Sequence, residues 1–269
     1  MAKCKLSIIG MGKMGEAIAQ GLAESAIGND YEIWGTTRTE ESAQEVRDHL
    51  KITCGTQNRE AIVRADIILL AIKPHQIEKI LVENRSHFRA NQLVISICAA
   101  ITTDQLSDWS GGKPAFVRAM PNTPCLIKAG VTALCGGRGA KATDLKEAEK
   151  IFGELGLVTI LEESLFDGVT GLSGCGPAYI YLMIEALSEA GVKVGISRKQ
   201  ATLLAAQTMM GAAKMVIERG EHPASLKDEV TTPAGCTIDG LMALEEGKLR
   251  VTLIKAVLAA TKRSKLMRT

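Results

Sequence analysis

The chain has 269 residues, of which 46% are hydrophobic and 23% are charged, and its formal net charge is +2. This length suffices for one large domain or two modest ones, and the composition predicts a globular protein with a sizeable core. Basic and acidic residues are mixed throughout the chain, so the sequence gives no support for a nucleic-acid-binding face.

The segment KLSIIGMGKMGEAIAQG, residues 5–21, has the pattern of a strand, a glycine turn and a helix. In a dinucleotide-binding fold, Gly10 permits the tight turn, Gly12 lets the backbone approach a pyrophosphate, and Gly15 lets the helix pack on the strand. The helix N-terminus adds N–H groups and partial positive charge. We predict a dinucleotide site here; the alternative is a glycine-rich turn without a ligand.

A second predicted strand, residues 31–37, ends in a sequence that indicates the type of dinucleotide. An acidic residue at this point would bind the ribose 2′-hydroxyl of NAD. The chain has Thr36, Thr37 and Arg38 instead, whose hydroxyls and guanidinium suit a 2′-phosphate. We therefore predict NADPH as the cofactor, with NADH as the alternative. The alternative for Arg38 is a surface position at the start of the next helix.

Apolar runs alternate with helical patterns as far as residue 161. Strands are predicted at 52–54, 67–72, 93–98, 115–120, 131–135 and 157–161, and helices include 39–50 and 144–155. We expect Asn58 near a helix cap and Pro74 at the start of a helix. This alternation predicts an α/β fold with a mostly parallel, doubly wound sheet.

The carboxyl ends of central strands face the ligand crevice in such a sheet. Ala71, Ile72 and Lys73 are therefore candidates to contact the cofactor, although a solvated turn lysine is an equal alternative for Lys73. Two prolines stiffen the loop 121–124, which would hold Asn122 rigidly at the crevice. The alternative for this loop is a rigid turn and nothing more.

After residue 161 the β-type runs stop. The sequence GLSGCGPAY at 171–179 predicts a helix break or kink, and helical patterns follow at 178–190, 198–219, 224–231, 236–246 and 251–268. We predict a dinucleotide-binding (Rossmann) domain at 1–162 and a helical domain at 163–269. These helices are rich in Ala, Gly and Met, so we expect an obligate homodimer. The apolar segment 201–217 is predicted to be a helix buried on most sides, with a subunit interface as a candidate place for that burial, and not a membrane span.

The sequence VTTPAGCT at 230–237 places threonine hydroxyls around a Pro-Ala-Gly turn that enters a helix. Backbone N–H groups at such a helix start form an anion nest, and the hydroxyls add donors, so a small carboxylate would fit. The alternative is a structural helix start capped by Thr232 or Thr237.

Seven cysteines, odd in number and without CxxC spacing or flanking histidines, indicate free buried thiols in a reducing compartment. Disulfides and a metal site are not expected. The first predicted strand begins almost at once, so we expect no signal peptide and a cytoplasmic location.

Five motifs resemble those of pyrroline-5-carboxylate reductases. They are GMGKMG at 10–15, AIKP at 71–74, MPNTP at 120–124, GLSGCGPAY at 171–179 and HPASLKDEVTTPAGCT at 222–237. The resemblance covers essentially the whole chain. It implies a Rossmann domain, a helical dimerisation domain, and a homodimer or a larger oligomer built from dimers. It also implies NADPH-dependent reduction of the cyclic imine 1-pyrroline-5-carboxylate to L-proline, with hydride delivered to C5.

The resemblance implies roles for individual residues. The pyrophosphate loop would comprise Gly10, Met11, Gly12, Lys13, Met14 and Gly15. Thr36, Thr37 and Arg38 would contact the 2′-phosphate. The ribose and nicotinamide would be contacted by Asn58, Ala71, Ile72, Lys73, Pro74, Ala99, Ala100 and Asn122. The substrate carboxylate would be held by Thr232, Gly235, Cys236 and Thr237. Thr237 or a water would donate a hydrogen bond to the ring nitrogen.

The chain departs from the family pattern at three positions. Ala234 replaces a glycine, which matters if that residue needs a positive φ. Cys236 is bulkier than the usual alanine, and Glu229 stands where many members have asparagine. These departures leave the reaction class intact and leave the rate and the substrate range open. Glu163 is interpreted as a surface residue, with support of an iminium charge as the alternative.

Two other functions remain as alternatives at this point. A β-hydroxyacid dehydrogenase shares the GxGxMG opening and a helical second domain, but it needs a lysine on an early helix of that domain. The helix after Pro177 has no lysine before Lys193. A non-catalytic NADP-binding sensor would bind the cofactor and would need no carboxylate nest.

Overall fold

The structure, a computed structural model, describes residues 2–267. It divides into two compact units. The first comprises the residues up to Gly174 together with those from Ala260 onward, and the second comprises Cys175–Ala259.

In the first unit, the described residues form one sheet of eight strands in the order β3-β2-β1-β4-β5-β6-β7-β8. The strands are β1 (Cys4–Ile9), β2 (Tyr31–Thr36), β3 (Thr53–Gly55), β4 (Ile67–Leu70), β5 (Leu93–Ser96), β6 (Ala115–Met120), β7 (Gly130–Gly136) and β8 (Gly156–Ile160). Neighbouring strands are parallel except β6 and β7, which are antiparallel. The predicted mostly parallel, doubly wound sheet is confirmed.

Helices connect most of these strands and cover both faces of the sheet. They are α1 (Lys13–Ala23), α2 (Glu40–Leu50), α3 (Asn58–Arg64), α4 (Pro74–Glu83), α5 (Thr103–Ser110), α6 (Ala142–Gly153) and the short α7 (Phe166–Val169). Successive side chains of a strand point to opposite faces. In β4, Ile67 and Leu69 therefore join one apolar cluster while Ile68 and Leu70 join the other, which explains its uninterrupted apolar sequence.

Two central strands end earlier than predicted. β4 ends at Leu70 and β5 ends at Ser96, each two residues before the end of its apolar run. Residues 71–73 and 97–100 therefore belong to loops at the carboxyl edge of the sheet. The order of strands reverses between β1 and β4, and ligands of doubly wound sheets bind outside the carboxyl ends at such a point.

The second unit is helical. It contains α8 (Gly176–Lys193), α9 (Arg198–Arg219), α10 (Pro223–Glu229), α11 (Cys236–Glu246) and the first part of α12 (Leu249–Leu266). A π-helical turn, Thr170–Gly174, precedes α8, in agreement with the predicted break. The last helix was expected to reach Arg268, which lies outside the described residues.

The single chain does not bury segment 201–217 on most sides, so that burial stays a prediction for a subunit interface. Ala201 and Ala205 are buried, but Leu203 and Ile217 are each 68% exposed. The apolar side chains of α9 point to all sides of the helix. Packing against α8 covers only one of these sides. Exposed apolar side chains on the other helices of this unit include Tyr181, Leu182, Met242, Leu244, Ile254 and Leu258. Within residues 2–267, no helix combines the length and apolarity that crossing a membrane requires.

Candidate cofactor and substrate sites

The turn between β1 and α1 is built around Gly10. Its φ is +98°, and a Cβ on it would lie 2.6 Å from Cγ2 of Ile72, so this position requires glycine. The N–H groups of Gly10 and Met11 donate to the carbonyl of Thr36 at 3.2 and 2.8 Å. The turn is therefore held against the ends of both β2 and β4.

Gly15 and Gly12 differ in what surrounds them. A Cβ on Gly15 would lie 2.3 Å from the carbonyl oxygen of Gly10, so glycine here permits the close approach of helix and turn. Around the corresponding position on Gly12, none of the described heavy atoms lies within 4 Å, apart from those of its chain neighbours. Gly12 has open space beside its backbone, as the approach of a pyrophosphate requires.

The N-terminus of α1 is available to an anion. Gly12 is its N-cap, and no side chain among the described residues caps it. The first intrahelical bond runs from the Glu16 N–H to the Gly12 carbonyl at 2.8 Å, so the preceding N–H groups lack intrahelical partners. With the helix dipole, these groups fit the phosphates of a dinucleotide.

At the end of β2, the three residues predicted to contact a 2′-phosphate have different surroundings. Thr36 is 1% exposed, and its hydroxyl donates to Oδ1 of Asn58 at 2.8 Å and accepts from the Gly10 N–H at 3.3 Å. Thr37 is half-buried, and its hydroxyl donates to the Thr39 carbonyl at 2.9 Å. Arg38 is exposed and pairs with none of the described residues. Arg38 is thus the cation that remains available at this strand end.

Asn58 is the first residue of α3, and the N-cap is Gln57, so the expected cap lies one residue earlier. Through its bond to Thr36, Asn58 links the start of α3 to the end of β2. This hydrogen bond stabilises the turn at Gly10 indirectly, because the same threonine hydroxyl accepts the Gly10 N–H.

The loops after β4 and β5 are coupled by Cys98. Its thiol donates to the carbonyl of Ile72 at 3.1 Å, and burial raises its pKa to about 11, so the thiol stays protonated as a donor. As predicted, Pro74 begins α4. Lys73, the residue before it, is exposed. Ala100 is buried with a φ of +62°, a conformation that costs a non-glycine residue energy and is concentrated at functional sites.

Asn122 is engaged by backbone groups on both sides. Its Oδ1 accepts from the Val131 N–H at 3.0 Å, and its Nδ2 donates to the Ser173 carbonyl at 3.2 Å. The loop that follows β6 is therefore tied to the start of β7 and to the π-helical turn. The stiff loop was predicted from its prolines. The two hydrogen bonds of Asn122 were not predicted, because they reach 9 and 51 residues along the chain.

Glu163 is partly exposed, with 27% of its side chain accessible, but it is not a free surface residue. Its carboxylate accepts from the N–H and hydroxyl of Thr103 at 2.8 and 2.7 Å and from Arg118 at 3.1 Å. Arg118 is fully buried on β6, and its guanidinium lies over the ring of Phe166 at 4.8 Å. The only feature of the sequence that pointed to this buried ion pair was the arginine within the apolar strand AFVRAM.

In the second unit, the loop 230–237 makes a turn at Pro233 and Ala234 and then enters α11. Gly235 is the N-cap of α11, and within the described part of the chain no side chain caps that helix, so the hypothesis of a cap by Thr232 or Thr237 is wrong. The Gly235 N–H donates to the Thr232 carbonyl at 3.0 Å. The N–H groups that open α11, beginning with those of Cys236 and Thr237, lack intrahelical partners.

Two local constraints shape this loop. A Cβ on Gly235 would lie 2.4 Å from Oγ1 of Thr232, so a larger residue there would have to displace the Thr232 side chain. Ala234 has a φ of +55°, the left-handed conformation that favours glycine. The replacement of the family's glycine by Ala234 therefore falls on a position where it introduces strain.

A cavity of about 1280 Å³ in the first unit lies at the opposite edge of the sheet. It is lined by residues at the amino ends of strands, among them Cys4, Tyr31 and Ile67. None of the predicted cofactor residues lines it. Since dinucleotides bind outside the carboxyl ends of such strands, we assign the cofactor to the glycine turn and not to this cavity.

The thiols are free, as predicted: all seven cysteines lie within residues 2–267 and none forms a disulfide. Four of them are buried, but Cys236 is exposed, which departs from the expectation of buried thiols. Among the described residues, no cluster of histidine, cysteine or carboxylate side chains could hold a metal ion.

The doubly wound sheet, the open glycine turn and the unpaired Arg38 define a dinucleotide-binding protein of the Rossmann type. Comparison with protein families agrees: residues 5–100 match the model described as NADP oxidoreductase, coenzyme F420-dependent, and residues 163–267 match the model for pyrroline-5-carboxylate reductase dimerisation. A pyrroline-5-carboxylate reductase of Arabidopsis thaliana is 39% identical over 97% of this chain and 94% of the relative. The chain belongs to the pyrroline-5-carboxylate reductase family.

Solved structures agree with this assignment. A pyrroline-5-carboxylate reductase of Coxiella burnetii is similar with a TM-score of 0.92 and 34% identity, over 100% of both chains. A pyrroline carboxylate reductase of Plasmodium falciparum, solved with NADP bound, is similar with a TM-score of 0.88 and 33% identity, again over 100% of both chains.

Proposed function

We propose that this chain reduces 1-pyrroline-5-carboxylate to L-proline with NADPH. The observation that carries the proposal is the match to pyrroline-5-carboxylate reductases over 97% of the chain, which includes both the glycine turn and the loop 230–237. The β-hydroxyacid dehydrogenase alternative is not favoured, because α8 has no lysine before its last residue, Lys193.

The first unit supplies the residues that would hold NADPH. The open backbone at Gly12 and the free N–H groups of α1 fit the pyrophosphate, and Arg38 with Thr37 fits the 2′-phosphate. Thr36 would act by fixing the turn, since its hydroxyl is already bonded to Asn58 and Gly10. The loops 71–74 and 99–100 and the loop of Asn122 would hold the ribose and nicotinamide.

The second unit supplies the residues that would hold the substrate carboxylate. Backbone N–H groups at the start of α11 and the hydroxyls of Thr232 and Thr237 present several donors, and the helix dipole favours a negative charge there. Gly235 permits the turn, and Cys236 occupies the first helical position. The exposed thiol of Cys236 is then a wall of the site, not a nucleophile.

The reaction adds a hydride to C5 and a proton to the ring nitrogen of the C=N bond. Bound NADPH supplies the hydride. The loop 230–237 contains no histidine or carboxylate side chain. This suits an imine that forms an iminium readily near neutral pH, so a strong acid from the chain is not required. The chain would then act by orientation and electrostatics, and Thr237 or a water would donate to the ring nitrogen.

Two further assignments rest on the same proposal. The exposed apolar faces of the second unit and the match of residues 163–267 to a dimerisation model support a homodimer or a larger oligomer built from dimers. The seven free thiols support a reducing compartment, and we assign the protein to the cytoplasm.

The substitution Thr237→Ala tests the substrate site. It should raise KM for pyrroline-5-carboxylate or lower kcat, while the KM for NADPH stays near the wild-type value. Thr252→Ala, on α12, removes a hydroxyl that donates to the Lys248 carbonyl just before the helix, and it serves as the matched control. A kcat/KM unchanged by Thr237→Ala would remove this residue from the site.

A further inference from the structure

Arg219 joins two helices of the second unit through carboxylates that precede the loop 230–237. It is the last residue of α9, and the chain then reverses at Gly220, whose φ is +63°. Its NH1 and NH2 groups each donate to one oxygen of Glu229 at 2.8 Å, and its Nε donates to Glu221 at 2.7 Å. One guanidinium therefore uses all three of its nitrogens to hold two carboxylates.

This arrangement differs from the other exposed ion pairs of α9. Lys214 and Glu218 lie 3.5 Å apart, one helical turn from each other, and link no second element. Isolated exposed pairs of that kind stabilise a protein little. The Arg219–Glu229 pair is a two-point contact between the ends of different helices, a geometry that fixes orientation as well as distance.

Glu229 is the last residue of α10, and hydrogen bonds carry its position into the loop. The N–H of Thr231 donates to the Asp228 carbonyl at 3.0 Å, and the hydroxyl of Thr231 donates to the Lys227 carbonyl at 2.7 Å. Thr232 follows directly. Thr231 is therefore bonded to the end of α10, directly before the turn that begins at Thr232.

We infer that Arg219 and Glu229 are positioning residues that fix the substrate loop of this chain. The inference rests on the proposed function, because it takes the loop 230–237 as the carboxylate site. It assigns a role to Glu229, the residue that departs from the asparagine of many family members: its carboxylate accepts the fork of Arg219 at two points, where an amide would offer a single acceptor oxygen.

Kinetics of Arg219→Gln test this role. Loss of the fork lets the turn at Thr232 shift, so KM for pyrroline-5-carboxylate should rise about tenfold, as expected for misplaced binding groups. The kcat and the KM for NADPH should stay within about twofold, since neither depends on holding the carboxylate. Glu229→Gln should act in the same direction with a smaller effect.

Two further variants distinguish a positioning role of Arg219 from an effect of its charge or an effect on the stability of the protein. Arg219→Lys keeps the charge but loses the planar fork, so its KM should lie between those of the wild type and Arg219→Gln. Lys214→Gln removes a cation from the same helix and should leave KM unchanged. The inference is overturned if Arg219→Gln resembles Lys214→Gln, or if kcat, both KM values and the melting temperature all change together.

Hydrogen exchange gives a readout that does not need turnover. In Arg219→Gln, amides of residues 230–237 should exchange faster than in the wild type, while those of α8 should not change. If the wild-type chain showed no turnover, the proposed function would fail. Hydrogen exchange would still show whether the Arg219–Glu229 pair orders the loop 230–237. Unchanged exchange at 230–237 would overturn the inference on its own.

Discussion

Gly12 and Gly15 of the β1–α1 turn differ in which atoms an added methyl group would contact. At Gly15 it would lie 2.3 Å from a backbone oxygen, whereas at Gly12 it would meet no described heavy atom beyond the chain neighbours. Gly15→Ala should therefore lower the free energy of unfolding by about 2 kcal/mol, as overpacking does. Gly12→Ala should leave it within about 0.5 kcal/mol, as a substitution without such a clash does.

Gly12→Ala should instead raise KM for NADPH at least about tenfold, because the methyl group occupies the space that the pyrophosphate needs. Urea unfolding and steady-state kinetics on the same preparations measure the two effects. Gly153→Ala, at the end of α6 with similarly open surroundings, is the control and should change neither quantity. A Gly12→Ala variant with normal NADPH kinetics would remove the cofactor from this turn.

Ala234 holds a left-handed conformation in the substrate loop, with a φ of +55°. Ala234→Gly adopts this conformation without strain, so KM for pyrroline-5-carboxylate should stay equal or fall. A β-branched residue resists it by about 1–2 kcal/mol, so Ala234→Val should raise KM roughly tenfold. Ala243→Val, in the interior of α11, is the matched control for bulk. Equal kinetics for Ala234→Gly and Ala234→Val would contradict this account of the loop.

Local chemistry made some residue roles predictable and left others out of reach. The positive φ of Gly10 and the importance of φ at position 234 follow from what glycine alone permits. The inward bond of Thr36 to Asn58 does not, because it depends on the spacing between β2 and α3. The pairing of Arg219 with Glu229 depends in the same way on where residues 220–229 place the end of α10 relative to the end of α9.

At the scale of elements, Glu163 connects β6, α5 and the turn before α7. Glu163→Ala removes a carboxylate partner of the buried Arg118 and both acceptors of Thr103, so it should lower the free energy of unfolding by about 3 kcal/mol. Glu163→Gln keeps an acceptor and should cost less. Urea unfolding measures both values.

The exposed neighbour Glu162 provides the control, and Glu162→Gln should leave stability near the wild-type value. If Glu163→Ala were as stable as Glu162→Gln, the contact with Arg118 would contribute nothing to the fold. Such a result would restore the surface interpretation that the sequence alone suggested.

Most elements were predicted from periodicity, because each has one apolar pattern of its own. β6, α9 and α11 have the predicted bounds. The ends of β4 and β5 were misplaced because the apolar run continues into the loop that faces the cofactor side. The apolar residues just after β4 and β5 contact other loops. The hydrophobic pattern alone does not distinguish such loop residues from the strand that precedes them.

At the scale of the whole molecule, the second unit exposes many large apolar side chains, which mark interaction surfaces when they are contiguous. Leu203 and Met210 on α9 are 68% and 59% exposed. If a partner chain covers this helix, the double variant Leu203→Glu, Met210→Glu should dissociate the oligomer, because burying two unpaired carboxylates is costly. Analytical ultracentrifugation measures the mass.

Lys199→Glu together with Lys214→Glu changes charge on the same helix at exposed polar positions and is the control. The wild type and this control should sediment as a dimer or a multiple of dimers. A wild-type chain that sediments as a monomer at micromolar concentration would contradict the assignment of these faces to an interface.

The most direct test of the central claim is the oxidation of NADPH by the purified chain, followed by its absorbance, with and without 1-pyrroline-5-carboxylate. The account predicts steady oxidation only after the imine is added, with proline formed in equal amount and a lower rate when NADH replaces NADPH. The absence of turnover with this imine under either cofactor would contradict the proposed function.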